Sequence, residues 1–156
     1  MVKGSRSGLI KGESQDSVHG NEIAIVSWTW GMQARAALGG GGATGKATVH
    51  ELKVVKKVDS ASTALMSALR SNELITKAVL TQRKAGKGPL EFLKVTIEQG
   101  RVMSLTIEAG DRSSSPDVFE QVSFSFNKIT VEYVPQGKDG QATGAMMYTD
   151  EFGDKS

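Results

Sequence analysis

"GGGGATGKATVHELKVVKKV", residues 39–58, is the stretch where two folds part. Its first half places Gly40, Gly45 and Lys46 at the G-x-x-x-x-G-K spacing of a phosphate-binding loop. Such a loop needs a helix directly behind it, because the helix N-terminus turns free N–H groups and a positive dipole end to the phosphates. It also needs Ser or Thr after the lysine to hold Mg²⁺. Here Ala47 occupies the hydroxyl position, and Thr48, Val49, Val54 and Val55 are β-branched. Residues 46–58 therefore read as a strand, and no apolar run ending in Asp supplies a second Mg²⁺ ligand. A nucleotide-binding enzyme using Lys46 becomes the weakest of the functional readings. Glycine loses the most conformational freedom on ordering, so the run Gly39–Gly42 with Gly45 is cheap to leave mobile and expensive to fix. It reads either as a loop ordered by a partner or as a plain surface loop.

Outward from that stretch the dominant signal is alternation. In "EIAIVSWTWGM", residues 22–32, Ala24, Val26, Trp28 and Trp30 share one face, while Ile23, Ile25, Ser27 and Thr29 share the other, which turns polar towards its end. Residues 46–58 change phase between Val49 and Leu52, and residues 118–134 do so at Asn127–Lys128. Phase slips of this kind mark bulges, or strands that pass from one sheet to another around a barrel. Residues 73–84, 89–98 and 101–108 read as three further strands, with "KAGKGP" at 84–89 as a hairpin turn and "AGDRSSSPD" at 109–117 as an exposed loop. One helix is expected, capped by Asp59 or Ser60, striped by Ala61, Leu65, Ala68 and Leu69, and ending near Asn72. The polar tail from Gln136 carries "GAMMYTD", the pattern of a last short strand. The expectation is a mainly β protein of six to eight strands, a two-sheet β-barrel with one α-helix and a long glycine-rich loop, over 1–156 as a single domain.

Composition narrows the function classes. The 19 basic and 17 acidic groups nearly balance, so no basic stripe points to nucleic acid. With no cysteine, disulfides, thiolate metal sites and cysteine nucleophiles are excluded. No run approaches the roughly 18–20 apolar residues of a membrane span, and "MVKGSRSGLIKGES" lacks the apolar core of a cleavable secretory signal. Neither nucleic acid nor membrane insertion is expected.

The remaining chemistry is sparse. His19 and His50, the two histidines, have no ligand-spaced neighbours and read as a loop residue and a strand residue. There is no G-x-S-x-G elbow. Glu13 and Asp16 read as a solvated polar turn, and Arg83 and Lys84 as solvated charges beside a hairpin turn. Trp28 and Trp30 read as packing rather than ligand-stacking residues, because Ala24 and Val26 share their face. No catalytic constellation emerges, and no cofactor or metal is implied.

Taken in order, several motifs resemble the Hcp (haemolysin-coregulated protein) family, the inner-tube proteins of the bacterial type VI secretion system. They are "IKGES" at 10–14, "EIAIVSWTWGM" at 22–32, "GGGGATGKATVHELKVVKKVDSAS" at 39–62, "KAVLTQRKAG" at 77–86, "LEFLKVTIE" at 90–98 and "FEQVSFSFNKITVEYVPQ" at 119–136. The resemblance implies a β-barrel subunit of a homo-hexameric ring, with rings stacking into a tube that a contractile sheath expels. Partners would be the spike protein, sheath, baseplate and effector proteins carried in the lumen. The protein would wait in the bacterial cytoplasm and leave through its own machine. The glycines Gly39, Gly40, Gly41, Gly42 and Gly45 match the family's ring-stacking loop. Thr29 matches a pore-facing position, with Ser27 beside it on the lumen wall. A specialised effector carrier or chaperone of the same shape is the alternative. Two departures stand out: "MVKGSRSGL" replaces the apolar first strand the family opens with, making residues 1–9 atypical, and Gly100–Arg101 falls where relatives are apolar. Gly100 reads as a bulge.

Overall fold

The computed structural model describes residues 1–34, 47–84, 90–110, 117–136 and 144–153. In chain order the strands are β1 (Val2–Gly4), β2 (Gly8–Ile10), β3 (Ser27–Thr29), β4 (Met32–Gln33), β5 (Thr48–Val49) and β6 (Leu52–Lys57). Helix α1 (Ser62–Arg70) follows, then β7 (Ile75–Arg83), β8 (Glu91–Ala109), β9 (Val118–Ser125), β10 (Lys128–Tyr133) and β11 (Met146–Glu151).

Strand β8 organises the molecule. Its first half pairs antiparallel with β7 on one side and β10 on the other, from Leu93↔Gln82 and Leu93↔Tyr133 to Glu98↔Lys77 and Glu98↔Lys128. Its second half pairs with β9, from Arg101↔Ser125 to Ala109↔Val118. Two sheets therefore share this strand: β2-β1-β7-β8-β10-β11, and β8-β9-β6-β3. Where the strand crosses between them, Gln99 takes a left-handed φ of +54° and Gly100 is buried. The expected break at Gly100 is thus a bend in one 19-residue strand rather than a gap between two. The phase slip at Asn127–Lys128 is the β9–β10 boundary, where the chain passes from the second sheet to the first. The slip between Val49 and Leu52 separates β5 from β6.

The altered N-terminus still makes a strand. β1 is three residues long, pairs with β7 from Val2↔Ala78 to Gly4↔Ile75, and turns back as β2. Gly4 sits where a Cβ would meet the Glu73 carboxylate, which explains a glycine in so short a strand.

Helix α1 buries Leu65 and Ala68 on the expected stripe, behind Ala61. Its cap differs from expectation. Ala61 stands at the N-cap with no side-chain bond, while the Asp59 carboxylate accepts from the Ala61 N–H at 2.9 Å and Ser62 Oγ accepts from the Asp59 N–H at 2.9 Å. Asp59 closes the turn before the helix because its carboxylate is also drawn to Lys56, 2.8 Å away. The C-terminus matches the reading. Asn72 turns left-handed at φ +56°, the Glu73 N–H reaches the Ala68 carbonyl and the Asn72 N–H the Leu69 carbonyl.

The core lies between the sheets and under α1, built from Ile10, Leu52, Leu65, Ile75, Val95, Ile97, Val102, Val122, Phe124 and Ile129 among others. Within it sits an ionic cluster. Lys56 Nζ meets the Glu120 carboxylate opposite it on β9, Asp59 at 2.8 Å and Ser62 Oγ at 3.3 Å, and Ser62 Oγ donates to Glu120 at 2.8 Å. Lys56 and Glu120 are among the most buried side chains in the protein. Charges so deep persist because each has a partner in place.

The strand expected over 22–32 is reduced to Ser27–Thr29, with Met32–Gln33 pairing separately to β5. Ala24 and Val26 are exposed rather than sharing a buried face with Trp28 and Trp30, which do pack against the core, and Ile25 on the opposite face is exposed as well. The ladder to β6 ends at Val26, whose N–H reaches the Val55 carbonyl. Upstream the chain is drawn away by the 12–22 loop, which is closed by Gly12–Asn21, Ser14–Glu22 and Asn21–Ser14 backbone bonds and tied elsewhere.

Candidate functional site

Two regions carry polar chemistry at the surface. The first is the outer face of the second sheet. β3 pairs with β6 through Ser27↔Val55, Trp28↔Val54 and Thr29↔Lys53, and Val54 points into the core. Alternation then sends Ser27 and Thr29 outward with Lys53, and both hydroxyl residues are exposed. The next strands continue this face with Gln121 and Ser123, then Thr106 and Ser104, in register. Ser104 and Ser123 join their hydroxyls at 2.5 Å. Behind this face Trp28 Nε1 donates to Gln82 Oε1 at 2.8 Å, tying the end of β3 to β7 of the other sheet.

The second region is a cleft of about 750 Å³ between the 22–28 segment and the outer edge of β7, from Val79 to Arg83. β1 is too short to cover this edge: its pairing ends where Met1 and Val79 exchange backbone bonds. A chain of charges closes one end. Arg83 grips Asp16 with two N–H groups, at 2.5 and 2.9 Å, and lies 3.7 Å from Glu91. His19 contacts Glu91 through Nε2 and Glu22 through Nδ1, and Glu22 meets the Met1 ammonium at 3.2 Å.

The electrostatics follow from these contacts. The Arg83 guanidinium, helped by the Val18 and His19 N–H groups, holds the Asp16 carboxyl well below the usual carboxylate range. The Glu91 hydrogen bond lifts His19 above its ordinary 6.5, against a smaller opposing effect of burial and with further help from Glu22. Burial alone would push the Glu22 carboxyl up, but His19 and the Met1 ammonium outweigh it and hold it down.

Several residues read from sequence as bystanders are therefore joined. Asp16 and Arg83, expected to be solvated, form one bidentate pair, and His19 is a loop residue with two carboxylate partners. Glu13 accepts from the Ser60 N–H at 2.8 Å. The glycines Gly39, Gly40, Gly41, Gly42 and Gly45, and Lys46, lie outside the described residues. Glu91 and Gln82 had no signal in the sequence, since nothing local marks a polar side chain whose partner is dozens of residues away. Among the described residues, no cluster could hold a metal ion, and no helix is long and apolar enough to cross a membrane.

At the surface the described residues thus present hydroxyls, amides and paired charges. Residues 2–133 match the family described as "Type VI secretion system effector, Hcp". The chain is 35% identical over 140 residues to the Hcp1 protein of Pseudomonas aeruginosa, covering 88% of this chain and 85% of that one. Its fold is similar to that of Hcp1 from Salmonella typhimurium, with TM-score 0.72 and 31% identity over 92% of this chain and 88% of that one. It is also similar to a structure described as a type six secretion system protein, with TM-score 0.80 and 26% identity over 93% and 89% of the two chains. The chain belongs to the Hcp family. It is a type VI secretion protein, of a family of secreted structural proteins, and its mainly β architecture, with one helix among the described residues, is the barrel-like Hcp fold.

Proposed function

We propose that this protein is a tube subunit, residues 1–156 acting as one domain that closes into homo-hexameric rings which stack and carry effectors in their lumen. The observation that supports the reading most is the free edges of the second sheet. Among the described residues, β3 pairs only with β6, and the Arg101–Ala109 half of β8 pairs only with β9. One sheet with an open edge at each end is suited to head-to-tail pairing, which closes into a ring when the rotation per subunit allows. Its outer face then becomes the inner wall, lined by Ser27 and Thr29 with Lys53, Gln121 and Thr106. A hydroxyl- and amide-rich wall wets easily and holds cargo by exchangeable hydrogen bonds, which supports the effector-carrier reading within the same ring. The glycines Gly39–Gly42 and Gly45 serve as the stacking loop in this proposal, and the spike, sheath and baseplate are the further partners. Export from the bacterial cytoplasm through the type VI machine completes it.

Light scattering across a dilution series tests the ring. A species near six times the 16.6 kDa protomer, stable on dilution, is the expected result. A monomer at all concentrations overturns the proposal.

A further inference from the structure

His19 holds a position that the tube reading does not use. Both of its ring nitrogens face carboxylate oxygens: Nδ1 faces Glu22 Oε2 and Nε2 faces Glu91 Oε1. A neutral imidazole carries one N–H, so it can donate to one carboxylate only and presents a lone pair to the other. Only the imidazolium, with an N–H on each nitrogen, satisfies both.

We infer that His19 is a proton-operated latch: as imidazolium it ties the 12–22 loop to the start of β8, and as neutral imidazole it releases one of its two carboxylates. The groups facing it are Glu22 and Asp16 from its own loop, Glu91 from β8, Arg83 from the end of β7 and the Met1 ammonium beside β1. Each carboxylate has a second cation waiting. Glu91 lies 3.7 Å from Arg83, and Glu22 lies 3.2 Å from the Met1 ammonium. Release therefore leaves each carboxylate with a cation still beside it. Beside the latch is a fixed pin. Arg83 holds Asp16, and Asp16 Oδ1 accepts from the Val18 and His19 N–H groups at 2.9 and 3.0 Å. Both members of that pin stay charged while His19 loses its proton.

The direction follows from the sign of the His19 shift. Its folded-state affinity for the proton exceeds that of the unfolded chain, so the contribution is complete below about pH 6.5 and fades as pH rises through the higher folded value. The latch is closed in acid and opens towards alkaline pH. What it controls is the 12–26 segment, whose exposed Ile25 and Val26 line the cleft and run directly into β3.

The test is a pH titration of the imidazole nitrogens by NMR with the whole protein. Because the chain has only two histidines, His50→Gln leaves the His19 signal alone for assignment. The expected result is a His19 protonated on both nitrogens at pH 6, with a midpoint above 6.5 that Glu91→Gln lowers. Across the same titration, hydrogen-exchange protection at the Asn21 and Glu22 amides falls, after correction for intrinsic rates, in step with the loss of the His19 proton. The Val18 and His19 amides, held by the pin, keep theirs. A single tautomer at pH 6, a midpoint at or below 6.5, protection unchanged through the titration, or equal loss at the pinned amides overturns the latch. The spectrum and exchange of the unmodified protein decide even where Glu91→Gln fails to fold.

Discussion

Gly100 lies so close to Ser125 that a Cβ added to it would sit 1.8 Å from the Ser125 carbonyl oxygen. The contact is with backbone, not with a side chain that could swing aside. It falls where β8 leaves one sheet for the other, directly after the left-handed Gln99. Glycine is required here by the close approach of the β8 backbone to the end of β9.

Gly100→Ala is therefore expected to destabilise the protein by at least about 1–3 kcal/mol, the range for overpacked sites. Urea unfolding of parent and variant measures it. A variant as stable as the parent would show that β8 and β9 can separate at the bend without loss.

The buried Lys56–Glu120 pair gives a second test. Lys56→Met leaves the Glu120 carboxylate without its cation in the core and is expected to cost about 3–5 kcal/mol. Adding Glu120→Met removes the stranded charge, so the double variant should recover most of that loss. The double-mutant cycle, by denaturant unfolding, reads the coupling directly. Simple addition of the two single losses would mean that the charges do not depend on each other.

Asp16 provides a pH signature. Its folded-state carboxyl is held well below 3.8 by Arg83, so the pair contributes stability above that pH and loses it as pH falls through the lower folded value. Asp16→Asn lacks the contribution throughout. The stability gap between parent and variant should be constant from pH 5 to 7 and narrow below about pH 3.8, followed by thermal unfolding at each pH. A gap that stays constant down to pH 2 would sink this assignment.

The proposed lumen wall separates assembly from cargo binding. Ser27→Ala and Thr29→Ala together remove two exposed hydroxyls without touching the β3–β6 ladder, which is made by backbone groups. The ring mass should be unchanged while a co-expressed effector becomes less stable, read by its cellular half-life. Loss of the ring itself would move these residues from the wall to the subunit contact.

Much of the fold was legible because burial imposes a period. Val122 and Phe124 had to alternate to reach one core, and the slip at Asn127–Lys128 had to appear where the chain changed sheets. The helix stripe of Ala61, Leu65 and Ala68 was legible for the same reason. Ala24 and Val26 read as sharing the tryptophans' packed face yet are exposed, because an apolar run shows that burial is favourable, not whether a partner strand is present. Gly100 reads as a bulge, whereas the strand bends there and its register slips from β9 only between Val102 and Ser104; the continuity of β8 depends on β7, β10 and β9, which no local pattern reveals.

The sequence alone determined the β class, the single helix, the absence of cysteine chemistry and, through ordered motifs, the family. These are properties of local period and composition. Only the tertiary structure decided that Lys56 would meet Glu120, that Arg83 would meet Asp16, and that His19 would stand between Glu22 and Glu91. Apart from His19 and Glu22, the partners in these contacts are 64 to 72 residues apart in the chain. A charge carries no periodic signal of its own, and its partner is chosen by whichever strands the core has already brought together.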